Sequence, residues 1–126
     1  MMDTTDGPGP VDTEHWMAYL EAEIAAAAAA MEVELGADSM CTVHKDGRVT
    51  GGLKYREGRL AALAEARRLA RARSDIEVAL TAQLQRWSNE LDRRRKSSTP
   101  SMAWVAYATG GFDASREALE ALGRSL

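Results

Sequence analysis

Apolar residues return every three or four positions along most of this chain, the period of an α-helix with one buried face. From Trp16 the series runs through Leu20, Ile24, Ala27, Met31 and Leu35. Asp12 or Thr13 can cap that helix, Glu14 suits the positive end of its dipole, and Gly36 suits the residue that closes it. A second helix is predicted from Leu53 to Arg73. It carries two apolar stripes, Leu53, Leu60 and Leu63 on one side and Ala62, Ala66 and Leu69 on another. Two stripes ask for two neighbours. A third helix extends to about Lys96, with Ile76, Leu80, Leu84, Trp87 and Leu91 at spacings of four, four, three and four. Ser74-Asp75-Ile76-Glu77 before it reads as a capping box, in which Ser74 takes one free amide and Glu77 reaches back to another. The short Arg73-Ser74 connection favours an antiparallel pair of helices.

After Ser97-Ser98-Thr99, with Thr99 as cap and Pro100 at a first helical position, a short helix holds Met102, Trp104, Val105 and Tyr107. Gly110-Gly111 is expected to stop it. Asp113 then caps a last helix with Ala114, Ala118, Leu119 and Leu122. Elsewhere the helical period fails. Met40 to Thr50, with Asp46-Gly47 at its centre, alternates as a short β-hairpin does, and Gly51-Gly52 reads as a flexible joint. Residues 1–11, with Gly7-Pro8-Gly9-Pro10, read as a flexible tail. The expectation is therefore an all-α domain over residues 12–126. It is a small bundle of about four helices with a short β-hairpin insertion between helices one and two.

Composition narrows the function more than it identifies it. With 126 residues, 45% hydrophobic and 28% charged, the chain has the make-up of one globular domain. One cysteine, Cys41, cannot form an internal disulfide, which fits a reducing, cytoplasmic setting. The first residues lack the basic and apolar regions of a signal peptide. The most apolar stretch, Ala25 to Ala30, is flanked by Glu21, Glu23, Glu32 and Glu34, far too close for a membrane span of about 20 residues. Thirteen arginines against three lysines, with abundant alanine, fit the coding bias of a high-GC bacterium or phage.

Charge is divided along the chain. Residues 1–43 hold nine acids and no Lys or Arg, a net of −9; residues 44–100 hold fourteen cations and seven acids, a net of +7. Either the two parts pair within the fold or across a dimer, or the basic part faces an anionic partner. The second choice makes Arg67 and Arg71 of the second helix, and Arg93, Arg94, Arg95 and Lys96 at the end of the third, candidate nucleic-acid contacts. Against it, the helix-two arginines do not share one face. The helix-turn-helix comparison also fails, because the third helix opens on Asp75 and Glu77 where base-reading residues would stand.

Other chemistry is thin. Cys41 and His44 could supply two metal ligands, but a closed site needs four. No third group orients them as a nucleophile and base, and neither glycine pair has the spacing of a phosphate loop. No catalytic residue, cofactor or metal is expected. The segment Met102 to Tyr107 differs from the other helices in being apolar nearly all round, and Trp, Tyr and Met are enriched at interfaces. With Leu84 and Trp87 of the third helix, the residues Met102, Trp104, Val105 and Tyr107 form the candidate interaction surface. The expected role is a non-enzymatic protein–protein interaction or assembly module, homodimeric, without membrane contact. The alternative is a nucleic-acid-binding accessory or regulatory protein.

Overall fold

A computed structural model describes residues 13–35, 51–72 and 75–124. Four helices account for nearly all of them: α1 Thr13–Leu35, α2 Gly51–Arg71, α3 Ile76–Arg95 and α4 Met102–Arg124. The described residues form four helices in an all-α bundle with no strand among them, which corrects the expected β-hairpin insertion. The hairpin segment itself, residues 40–50, lies outside the described residues, as does the proposed tail. Gly51-Gly52, expected as a joint, instead opens α2. That helix has no acid of its own in its first turn. The Glu34 carboxylate supplies one, lying 2.8 Å from where a Cβ on Gly52 would stand, against the positive end of the α2 dipole.

Gly110-Gly111 does not stop a helix either. α4 runs through both, joining what the sequence divides into two segments. The reason is a close crossing. Gly58 on α2 lies against the Tyr107 carbonyl of α4, and Gly110 on α4 lies against the Tyr55 carbonyl of α2, so a Cβ at either would collide with backbone. Gly58, Ala62 and Ala66 continue along α2 at intervals of four, and Gly110, Ala114 and Ala118 do so along α4, all buried. Two i,i+4 ridges of small residues thus meet and bring the helix backbones together. Each mid-helix glycine weakens its own helix by roughly 0.5–1 kcal/mol relative to alanine; the contact it permits offsets that. Gly111 faces the other way, against the Trp87 ring of α3.

α2 and α4 run in the same direction as this central pair, and α1 and α3 run against them. α1 packs mainly on α2 and α3 mainly on α4. The core between the helices holds Trp16, Leu20, Leu63, Leu80 and Leu122 around the small residues Ala62, Ala66, Ala114 and Ala118. Trp16 is fully buried, and its indole N–H donates to the Ala118 carbonyl at 3.0 Å. That bond satisfies the one polar group of a large core side chain.

Two helix starts move by a residue or two. The cap of α3 is Asp75, whose side chain accepts from the Val78 amide at 3.3 Å; Ser74 lies outside the described residues. The cap of α4 is Ser101, which accepts from the Trp104 amide at 3.4 Å, in place of Thr99. Lys96 closes α3 as its C-cap.

Candidate interaction surface

The antiparallel run of α3 and α4 brings the end of one beside the start of the other, and α2 begins at that same end. Trp104 stands there 42% exposed. It is nevertheless held on three sides. Tyr107, one turn on, meets it edge-on at 5.4 Å between ring centres. The Lys54 ammonium of α2 lies 4.7 Å from the ring centre, and the Arg94 guanidinium of α3 lies 5.3 Å from it. Such cation–π contacts are attractive by about 0.5–1 kcal/mol each at exposed sites. Met102, at the first position of α4, is 78% exposed beside it. Trp87 extends the aromatic series inward, 5.6 Å from Tyr107.

Behind this edge a shallow groove of about 240 Å³ is lined by Glu65, Arg86, Trp87, Glu90 and Tyr107. Its charged rim is paired. Glu65 accepts from the Trp87 indole at 3.2 Å and holds Arg86 as well. Glu90 accepts from Arg93 at 2.6 Å and from Arg94 at 2.7 Å, and those two hydrogen bonds hold its carboxyl below the usual carboxylate range.

The expected interaction surface is thus brought together in part. Met102 and Trp104 are exposed, while Val105, Tyr107, Trp87 and Leu84 are half-buried. Segment 102–107 is neither wholly core nor wholly surface: its outer turn is open and Ala108, just beyond, is fully buried. The arginines expected as nucleic-acid contacts lie among carboxylates. Arg67 and Arg71 both reach Glu21 of α1, at 2.9 and 3.8 Å, and Arg93 and Arg94 share Glu90. Arg95 and Lys96 are exposed at the end of α3. Two acids of the acidic part, Glu21 and Glu23, therefore meet arginines of α2 within the fold, while Glu90 pairs with Arg93 and Arg94 inside the basic part.

Sequence reasoning missed two polar features. Arg59, 9% exposed, bridges Glu23 of α1 at 3.3 Å and Glu117 of α4 at 2.9 Å. Burial pushes its guanidinium down, but the hydrogen bond and charge of Glu117, together with Tyr55, outweigh that and leave it raised. The Tyr55 hydroxyl donates to Asp113 at 2.7 Å. Burial, then that bond, raises the Tyr55 phenol; burial, then the charges of Glu23 and Glu117, raises Tyr19. Around Arg59 lies a cleft of about 210 Å³ lined by Glu23, Ala26, Ala27, Tyr55, Arg56 and Glu117. Arg59 bridges the two carboxylates of this cleft and so ties three helices together. The second feature is Gln83, fully buried on α3, donating to the Ala62 carbonyl at 2.9 Å and to the Ser115 hydroxyl at 3.0 Å. A run of leucines gives no hint of a glutamine on the buried face. The signal for Arg59 was fainter still, one arginine among five on its helix.

Among the described residues no group of three His, Cys, Asp or Glu side chains is placed to hold a metal ion, and no helix is long and apolar enough to cross a membrane. Cys41, His44 and Asp46 lie outside the described residues. Set against known proteins, the chain matches no family model, no curated protein and no solved structure.

Proposed function

We propose that this chain is a non-enzymatic protein–protein interaction module that binds through the edge formed by Met102 and Trp104 with Lys54 and Arg94. The observation that carries the reading is the state of Trp104, 42% exposed yet fixed by an aromatic and two cations. A large apolar ring held in one orientation before binding loses little conformational freedom when a partner covers it. Tryptophan and arginine are also the residues on which interface energy concentrates. The half-buried Tyr107 and Trp87 behind it fix its base. The bridged cleft at Arg59 supports the non-enzymatic part of the reading, since Arg59, Glu23 and Glu117 are engaged in tying the helices together.

A photo-crosslinking amino acid in place of Met102, in cells producing the chain, tests this. The expected result is a discrete protein adduct that disappears when Trp104→Ala is added. Labelling confined to nucleic acid would move the surface to the accessory nucleic-acid role, and no adduct at all would end the interaction reading.

A further inference from the structure

The apolar side chains most exposed on the described surface are Val33, Val78, Met102 and Trp104. Three of them stand at one end of the molecule. α1 ends there, with Glu34 against the first turn of α2, and α4 begins there, with Trp104 under Lys54. The two patches differ in sign. Around Trp104 and the end of α3 are Lys54, Arg93, Arg94, Arg95 and Lys96, five cations against the three carboxylates Glu57, Glu90 and Asp92. Around Val33, 80% exposed, are the exposed carboxylates Glu32 and Glu34.

α1 is also apolar on two faces. Trp16, Leu20 and Ala27 point into the core, while Ala22, Ala25, Ala26 and Ala29 lie exposed on the outer side, leading to Val33. Small side chains make a flat bed for a projecting ring, and the carboxylates at its end match the cations that flank Trp104. Two α1 helices set against each other would instead oppose their acids.

On the interaction reading above, we propose that the occupant of the Trp104 edge is a second copy of this chain. Its α1 contributes Val33, Glu32 and Glu34 to the Met102–Trp104 edge and the Arg94–Lys96 cations. Such a contact joins unlike patches, so it either closes or grows. Their place at the same end of the molecule favours closure into a dimer that makes the contact twice.

A charge exchange tests it by sedimentation velocity, with circular dichroism checking that each variant is folded. Wild type is expected to dimerise at tens of micromolar, an ordinary range for a modest interface, at about 50 mM salt. Glu32→Lys with Glu34→Lys, and separately Arg94→Glu with Arg95→Glu, should each be monomeric. Mixed in equal amounts, the two variants should form a heterodimer, because every contact then joins opposite charges. Val33→Ser, at an exposed position with little bearing on the fold, should weaken wild-type association at least ~tenfold. A wild-type dimer indifferent to both charge exchanges, or a mixture that stays monomeric, would overturn the proposal. A monomeric wild type whose position 102 crosslinks to a different protein would also overturn it, while leaving the interaction reading in place.

Discussion

Gly58 and Gly110 face each other across the α2–α4 crossing so closely that neither can carry a Cβ: each lies against a backbone carbonyl of the other helix. Backbone cannot move aside as a side-chain tip can. Gly58→Ala or Gly110→Ala should therefore cost at least ~2 kcal/mol through overpacking. Gly123 has nothing within 4 Å of its would-be Cβ, and Gly123→Ala should stabilise by about 0.5–1 kcal/mol through helix propensity alone. Urea unfolding of the three variants checks both signs. A tolerated Gly110→Ala would remove the close crossing.

Gln83 is a buried polar group whose Oε1 has no hydrogen-bond partner, although its amide N–H groups have two. Replacing it with an apolar side chain of similar length removes that unmatched oxygen together with two modest bonds. Gln83→Met should change stability by less than ~1 kcal/mol, in either direction. Gln83→Ala leaves a cavity and should cost about 2 kcal/mol or more. Equal losses in the two variants, measured by chemical denaturation, would mean that the amide itself fixes the packing of α2, α3 and α4.

Tyr19 and Tyr55 have phenols raised above the ordinary tyrosine value, by burial first. A raised folded value means the neutral phenol is favoured in the fold. The stability this supplies is fully present below the unfolded value, near ~10, and is lost as pH rises through the folded value. Unfolding free energy should accordingly fall on the alkaline side. Tyr55→Phe removes the bond to Asp113; it should cost about 1 kcal/mol at neutral pH and make the alkaline fall shallower. Denaturation midpoints across that range, with phenolate absorbance on the same samples, measure both. An unchanged alkaline slope in Tyr55→Phe would assign it to other groups.

Trp16 and Trp104 divide structure from recognition. Trp16 is fully buried and bonded to Ala118, so Trp16→Ala should cost about 3–5 kcal/mol in lost packing and cavity. Trp104→Ala, at a residue 42% exposed, should cost about 1–2 kcal/mol, the two cation–π contacts with Lys54 and Arg94 at about 0.5–1 kcal/mol each. Thermal unfolding of the two variants should separate clearly. Equal and large losses would make Trp104 a core residue.

The helices were legible because large apolar residues recur at helical spacing. Trp16, Leu20 and Ala27 are buried as that spacing implies, as are Leu53, Leu63, Leu80 and Leu91. Leu84, read as part of the same seam, is only half-buried; Gln83 beside it takes the buried place. The glycines were misread because local propensity makes Gly-Gly a helix stop, whereas here tertiary contact overrides propensity. A signal existed: Gly110 continues the four-residue interval of Ala114 and Ala118, matching Gly58, Ala62 and Ala66 on α2. The aromatic segment was visible as unusual from its composition. That Lys54 and Arg94 flank Trp104 was not, because they come from two other helices and meet only in the folded chain.

The most direct measurement follows the three tryptophan indole N–H resonances of the ¹⁵N-labelled protein as it is concentrated. In the fold, the Trp16 indole is bonded to Ala118 and the Trp87 indole to Glu65, while the Trp104 ring stands at the open edge. From ~10 μM to ~1 mM, a range that brackets ordinary weak association, the Trp104 resonance should shift and the Trp16 resonance should stay in place. Variant Val33→Ser should hold the Trp104 resonance at its dilute position over most of that range. A Trp104 resonance that never moves with concentration, or one that moves no more than Trp16, would contradict self-association through this edge.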